Sequence, residues 1–187
     1  MFSTKRLRFR EVRTEDVQEI MKNWNNYNIR RNLGQVLFPT SKEQEEEWVK
    51  ETWSDAKKGS GFTFAIEIKK TKELIGTISL FKINKVSRHA ELGIAIYSSK
   101  HHGKGYGTEA MKFILQYGFQ VLNLETIHLG VYEFNKPARH VYEKVGFKKQ
   151  GRKRNFVFRE GKSYDLLLYD ITKKEWSELN QEVISEF

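Results

Sequence analysis

Residues 89–110 read HAELGIAIYSSKHHGKGYGTEA, and this stretch decides the fold. An apolar, β-branched run ends at Tyr97. A short polar joint follows, then His102-Gly103-Lys104-Gly105-Tyr106-Gly107, then Thr108-Glu109-Ala110 and a long amphipathic segment. The order is strand, glycine-rich turn, helix. The first turn of a helix leaves backbone N–H groups without intrahelical partners and carries a partial positive charge. Glycines in front of it remove side chains that would hold an anion off. The stretch therefore predicts a phosphate or diphosphate site. Its spacing is neither GxxxxGK(S/T) nor GxGxxG, because Thr108 stands where a third glycine would be. A tight turn with no ligand is the competing explanation, since glycines punctuate loops generally.

Working outward, residues 6–12 (RLRFREV) alternate apolar and polar and predict a strand. Thr14 is placed to cap a helix, with Val17, Ile20, Met21 and Trp24 on one face. Residues 25–39 read as an Asn-rich loop. Thr40 or Ser41 starts a second helix, both with capping-box spacing, and Trp48, Val49, Thr52 and Trp53 make its inner stripe. Residues 62–69 and 74–83 form a hairpin across Lys70-Thr71-Lys72, with Gly76 as a candidate bulge. With 90–97 they make a meander. Beyond the glycine turn, a helix is expected from about Thr108 to Val121, a strand at 126–132, and a helix from Asn135 to Val145 stopped by Gly146. Residues 147–154 and 164–170 pair as a last hairpin. The tail from Thr172 reads as a short surface helix or a disordered end.

Composition narrows the class. The 187 residues suit one domain, and 13 Phe, 8 Tyr and 4 Trp suffice for one core. No apolar run is long enough for a spanning helix, and MFSTKRLRFR lacks the apolar segment of a secretory signal. A cytoplasmic location is expected. With no cysteine, a thiolate metal site and an acyl-cysteine intermediate are both excluded. Scattered histidines without His-x-x-x-His spacing predict no metal. The net charge of +9 favours acidic partners such as RNA, ribosomes or an anionic cofactor.

The glycine stretch resembles motif A of the GNAT superfamily of N-acetyltransferases, whose loop reads Gln/Arg-x-x-Gly-x-Gly/Ala. The pattern falls on His102, Gly105 and Gly107, and only its first position departs. Asn135-Lys-Pro-Ala138-Arg-His-Val-Tyr142-Glu-Lys-Val-Gly146-Phe147 is similar to motif B of the same superfamily. The resemblance spans about Thr4 to Asp170 and is closest to the branch holding ribosomal-protein N-terminal and spermidine N-acetyltransferases. It implies one N-acetyltransferase domain over 1–187. It also implies an α+β GNAT fold: a central mixed, mostly antiparallel twisted sheet of about seven strands flanked by helices. Strands 90–97 and 126–132 would splay, with the acyl thioester in the V between them. The implied reaction uses acetyl-CoA and a primary amine, with no metal.

Acetyl transfer to an amine has three needs: a deprotonated amine, a polarised carbonyl and a proton for the departing thiolate. The resemblance makes Tyr142 the acid, although its place on the helix's inner face equally suits a core aromatic. Glu91 is the candidate base, with an ordinary salt-bridged strand residue as the alternative; His89, His101, His102, His128 and Glu67 follow. The N–H groups of Ile94 and Ile96 are the expected oxyanion donors, since a splayed strand leaves donors unpaired. His102, Gly103, Lys104, Gly105, Tyr106, Gly107 and Thr108 would hold the diphosphate, with Asn135 and Arg139 as further cofactor contacts. The acceptor is expected to be a protein N-terminal amine, with ribosome association and a homodimer both compatible. The alternative is a polyamine: Ile83-Asn84-Lys85-Val86 and Tyr117–Leu124 resemble spermidine acetyltransferases, and the Glu43–Glu47 run could supply the acidity a polycation needs. A non-catalytic RNA-binding module is the alternative of a different class; aromatics on core stripes disfavour it.

Overall fold

The computed structural model describes residues 2–34 and 37–180. In chain order the elements are β1 (Phe2–Ser3), β2 (Leu7–Glu11), α1 (Val17–Trp24), α2 (Tyr27–Arg30), α3 (Lys42–Lys58), β3 (Phe62–Ile68), β4 (Leu74–Asn84) and β5 (His89–Ile96). They continue with α4 (Tyr106–Gln116), β6 (Thr126–Tyr132), α5 (Lys136–Lys144), β7 (Lys148–Arg159), β8 (Lys162–Thr172) and α6 (Lys173–Leu179). All strands join one sheet in the order β1-β2-β3-β4-β5-β6-β8-β7. Only the β5–β6 pair is parallel.

Strand alternation sends residues to two cores. Leu7, Phe9, Ile66, Ile78, Leu80, Ala90, Leu92, Ile127 and Ile171 pack beneath α4, α5 and α6, where Phe113 of α4 stacks on Phe9 at 3.8 Å. On the opposite face, Val12, Ala65 and Tyr97 pack with Val17 and Ile20 of α1 and Val49 of α3. On that second face His89, Glu91, Gly93 and Ala95 of β5, His128 of β6 and Asp170 of β8 are all only half-buried. This strip leaves part of that face uncovered.

β5 and β6 are registered over three pairs only: His89 with Thr126, Ala90 with Ile127 and Glu91 with His128. Beyond Glu91, β5 stays with β4 as far as Ile96, while β6 from Leu129 to Tyr132 pairs with β8. The two central strands therefore part, as the family resemblance implied.

Several local expectations are corrected. Asp16, not Thr14, organises the start of α1: its carboxylate accepts from the Arg13 amide at 2.9 Å and is gripped by Arg10. A short helix, α2, interrupts the Asn-rich loop, because the Asn26 side chain caps the Asn28 amide. The helix after the glycine turn starts at Tyr106, two residues early, and its end loosens into a π-turn at Tyr117–Val121. The irregularity in β4 falls on Ile75, beside Gly76. An eighth strand, β1, was not foreseen, and the last hairpin runs further into its turn, β7 to Arg159 and β8 from Lys162, with β8 continuing to Thr172. The tail begins as α6, with Thr172 and Glu175 forming a capping box; residues 181–187 lie outside the described residues.

Candidate active site

The glycine turn delivers bare amides to the mouth of the splay. Gly103 and Gly105 have φ of +70° and +78°, a region where side-chain-bearing residues are strained. A Cβ on Gly103 or Gly107 would meet nothing within 4 Å, so both face open space. Gly105 is the N-cap of α4 and has no side chain to close the helix end. The amides of Tyr106, Gly107 and Thr108 are thus the unpaired first donors of an 11-residue helix. His102, the position that departs from the family pattern, sets its Nε2 3.3 Å from the Ile96 carbonyl. Lys104 is exposed. His101, buried before the turn, pairs with Glu73 at 3.3 Å and so anchors the joint.

The donors on β5 follow from strand geometry. The Tyr97 amide donates to Ile75 of β4 at 2.9 Å. Amides alternate along a strand, so those of Ile94 and Ile96 point away from β4, into the gap where β6 has left. Two successive outward donors are thus left in the gap where β5 and β6 part. Taken with the open glycine turn, the chain fits a coenzyme A thioester.

α5 brings the second motif to the same end of the sheet. The Asn135 side chain accepts from the Ala138 amide at 3.3 Å and caps the helix. Arg139 Nη1 donates to the Glu133 carbonyl at 3.3 Å, so its guanidinium lies back along the first turn of α5. Tyr142 is 8% exposed and sits within the larger core, with its ring 6.1 Å from that of Phe147. Burial pushes its hydroxyl up to about 12, so it stays protonated across the physiological range.

Two features lie on the side of the sheet left partly uncovered. At the vertex of the splay, both Glu91 oxygens take Lys82 Nζ, at 3.1 and 3.0 Å. His128 Nε2 is 3.8 Å from Glu91 and its ring is 5.4 Å from that of His89. Burial holds the His128 imidazole below its usual value despite Glu91. At the other end, Glu45 of α3 is 5% exposed, whereas Glu43 and Glu47 are exposed. Burial raises its carboxyl, opposed by Arg30 and by the Trp24 indole. Trp24 Nε1 is close enough to exert that pull but makes no hydrogen bond. Among the described residues, no group of three or more His, Cys, Asp or Glu is arranged to hold a metal, and no helix is long and apolar enough to cross a membrane.

The sequence pattern of the acetyltransferase (GNAT) domain family matches residues 6–148. The chain is a GNAT acetyltransferase. Where its relatives carry a named acceptor, the names differ. A spermidine N(1)-acetyltransferase of Vibrio cholerae is 32% identical over 160 residues, covering 86% of this chain and 89% of that one. YdaF of Bacillus subtilis, provisionally named a ribosomal N-acetyltransferase, is 34% identical over 103 residues, covering 55% of this chain and 56% of that one. Among solved structures, spermidine N-acetyltransferase from Vibrio cholerae in complex with CoA and spermine superposes with a TM-score of 0.82 at 29% identity, covering 92% of this chain and 99% of that one. This GNAT acetyltransferase uses acetyl-CoA as its acyl donor.

Three parts of the site were not anticipated from sequence. One is a pair, Arg6 and Glu109, on which the glycine turn rests. Another is the inward turn of Glu45, for which its spacing to Val49 and Thr52, all on one helical face, was the only signal. The third is the identity of the cation that pairs with Glu91, Lys82, although a salt-bridged Glu91 was the stated alternative.

Proposed function

We propose that this GNAT acetyltransferase moves an acetyl group directly from acetyl-CoA to a primary amine of a polyamine, within a ternary complex. The observation that carries the choice of acceptor is the sequence likeness to a spermidine acetyltransferase over 86% of the chain, against 55% for the ribosomal-type relative. Acidity on the uncovered face adds to it: Asp170 stands half-exposed beside Glu91, whose oxygens Lys82 already holds. The densest basic cluster, Lys148 to Arg154, runs along β7, the far edge of the sheet.

In this reading the amides of residues 103–108 hold the diphosphate, with Lys104 beside them and Asn135 and Arg139 as flanking contacts. The Ile94 and Ile96 amides polarise the carbonyl. Glu91 takes a proton from the acceptor's ammonium so that the free amine can attack, and Tyr142 gives one to the departing thiolate. With no cysteine in the chain, an acyl-cysteine route is closed. A thiol-release assay with acetyl-CoA tests the acceptor across spermidine, spermine and peptides beginning with Ser or Ala. Turnover is expected with the polyamines. Turnover with the peptides alone would return the function to protein N-terminal acetylation.

A further inference from the structure

The glycine turn does not stand alone. Glu109, in the first turn of α4, accepts from Thr4 Oγ1 at 2.6 Å, from the Arg6 amide at 2.8 Å and from Arg6 Nε at 2.6 Å. Arg6 Nη1 then donates to the Lys104 carbonyl at 2.8 Å. Its guanidinium carbon lies 4.8 Å over the Tyr106 ring. A Cβ on Gly105 would meet Arg6 Nη2 at 3.2 Å. Burial works to raise the Glu109 carboxyl, but the donors from Thr4 and Arg6 outweigh it and hold it below its usual range. The carboxylate therefore stays charged, and the pair stays assembled near neutral pH.

The Lys104 contact has a geometric consequence. In a trans peptide the C=O and N–H of one plane point in opposite directions. Arg6 draws the Lys104 carbonyl inward, so the Gly105 N–H in the same plane is turned outward, away from Arg6. Gly105 at φ +78° has no side chain to fix its own conformation; unaided, such a turn samples many states and its donors lose their aim. Stacking on Tyr106 fixes the following residue as well.

We propose that Arg6 and Glu109 are positioning residues that pre-set the glycine turn for a diphosphate, by locking the Lys104–Gly105 peptide plane. This rests on the reading that the turn holds the diphosphate of coenzyme A. Neither side chain is required to touch the reacting atoms. The charge-assisted bonds are the stronger kind, and prior ordering spares the ligand the cost of ordering the loop.

The test compares Arg6→Gln, Arg6→Lys, Glu109→Gln and the Arg6→Gln/Glu109→Gln double variant with the wild type. Calorimetry measures coenzyme A affinity, and turnover is followed with acetyl-CoA and with acetyl-pantetheine, which lacks the diphosphate. Each single Gln variant is expected to weaken coenzyme A binding about tenfold. The double variant is expected to lose little more, because the two act as one unit. Arg6→Lys should recover only part, since an ammonium cannot serve both Glu109 and the Lys104 carbonyl as a planar fork does. Rates with acetyl-pantetheine should stay within about twofold. Should Gln variants bind coenzyme A like the wild type, or lose acetyl-pantetheine turnover by the same factor as acetyl-CoA turnover, the positioning role is wrong. If the variants fail to fold, Arg6→Lys decides the matter alone. A wild type that binds no coenzyme A would remove the site itself, a result separate from either.

Discussion

His128 Nε2 lies 3.8 Å from Glu91 Oε1 at the point where β5 and β6 part. A carboxylate and an imidazole therefore stand side by side at the vertex, in unlike surroundings. Glu91 is held on both oxygens by Lys82, which orients it. His128 is kept neutral by burial, and its side chain is about as exposed as that of Glu91, 37% against 33%.

If Glu91 takes the proton, Glu91→Gln should lower kcat/KM for spermidine by at least about 100-fold, the usual contribution of a general base. His128→Gln should cost less than about tenfold, through loosened positioning alone. The pH profile separates them. Loss of the acid limb in Glu91→Gln, with the limb kept in His128→Gln, assigns the base to Glu91. The opposite pattern assigns it to the imidazole.

Tyr142 carries a second prediction. Tyr142→Phe should lower kcat while leaving coenzyme A affinity within about twofold, since only the departing thiolate needs the hydroxyl. Its pH consequence has a definite sign. The folded-state value, pushed up to about 12, lies above the value of about 10 for a tyrosine in an unfolded chain. The neutral phenol therefore stabilises the fold fully below pH about 10, and that contribution fades as pH rises toward about 12. Denaturant unfolding at about pH 9 and pH 11 should show a smaller alkaline loss in Tyr142→Phe than in the wild type. An equal kcat in the variant would leave Tyr142 as a core aromatic.

What the sequence made legible follows from which interactions are local. Alternation placed β2 to β6 and the β7–β8 hairpin, and helical spacing placed the inner faces of α1, α3, α4 and α5. The parting of β5 and β6 came from the resemblance of the Gly105–Gly107 turn to a known motif, because no periodicity marks where a strand loses its neighbour. Arg6 and Glu109 could not be joined from sequence: 103 positions separate them, and either alone reads as a solvated charge. Glu45 lay hidden in a run of acids that looks like a wet helix face. Tyr142 shows the other limit, since a buried catalytic phenol and a buried structural one occupy the same helical position.

Glu45 carries the third prediction. Its folded-state pKa is raised by burial, so the ionised form costs stability above that value and costs nothing below the unfolded value of about 4.3. Stability should therefore rise as pH falls through this window, counting this group alone. Glu45→Gln should unfold at an equal or higher temperature at pH 7. If the carboxylate also receives one end of the polyamine beneath Trp24 and Arg30, the same variant should raise KM for spermidine with kcat nearly unchanged. A higher melting temperature with an unchanged KM would make Glu45 a packing feature only.

The last prediction concerns what holds α1 against the sheet. Arg10 reaches Asp16 through Nη1 at 2.7 Å and Nη2 at 2.8 Å, and Glu67 through Nε at 3.2 Å, with all three side chains about nine-tenths buried. Its hydrogen bond to Asp16 raises the guanidinium's pKa further, against the cost of burial. Removing Asp16 takes two charge-assisted bonds from the buried Arg10 and leaves it Glu67 as its remaining carboxylate; breaking a buried pair costs up to about 3–5 kcal/mol. Asp16→Ala should therefore lower the melting temperature by about 6–20 °C, given the usual 2–4 °C per kcal/mol for about 150–250 residues. It also frees the Arg13 amide that Asp16 caps, so α1 should fray first. Replacing the pair together, Arg10→Met with Asp16→Leu, removes the buried guanidinium as well and should cost less than Asp16→Ala alone. A double variant no more stable than the single one would mean that Glu67, left without Arg10, carries the larger penalty.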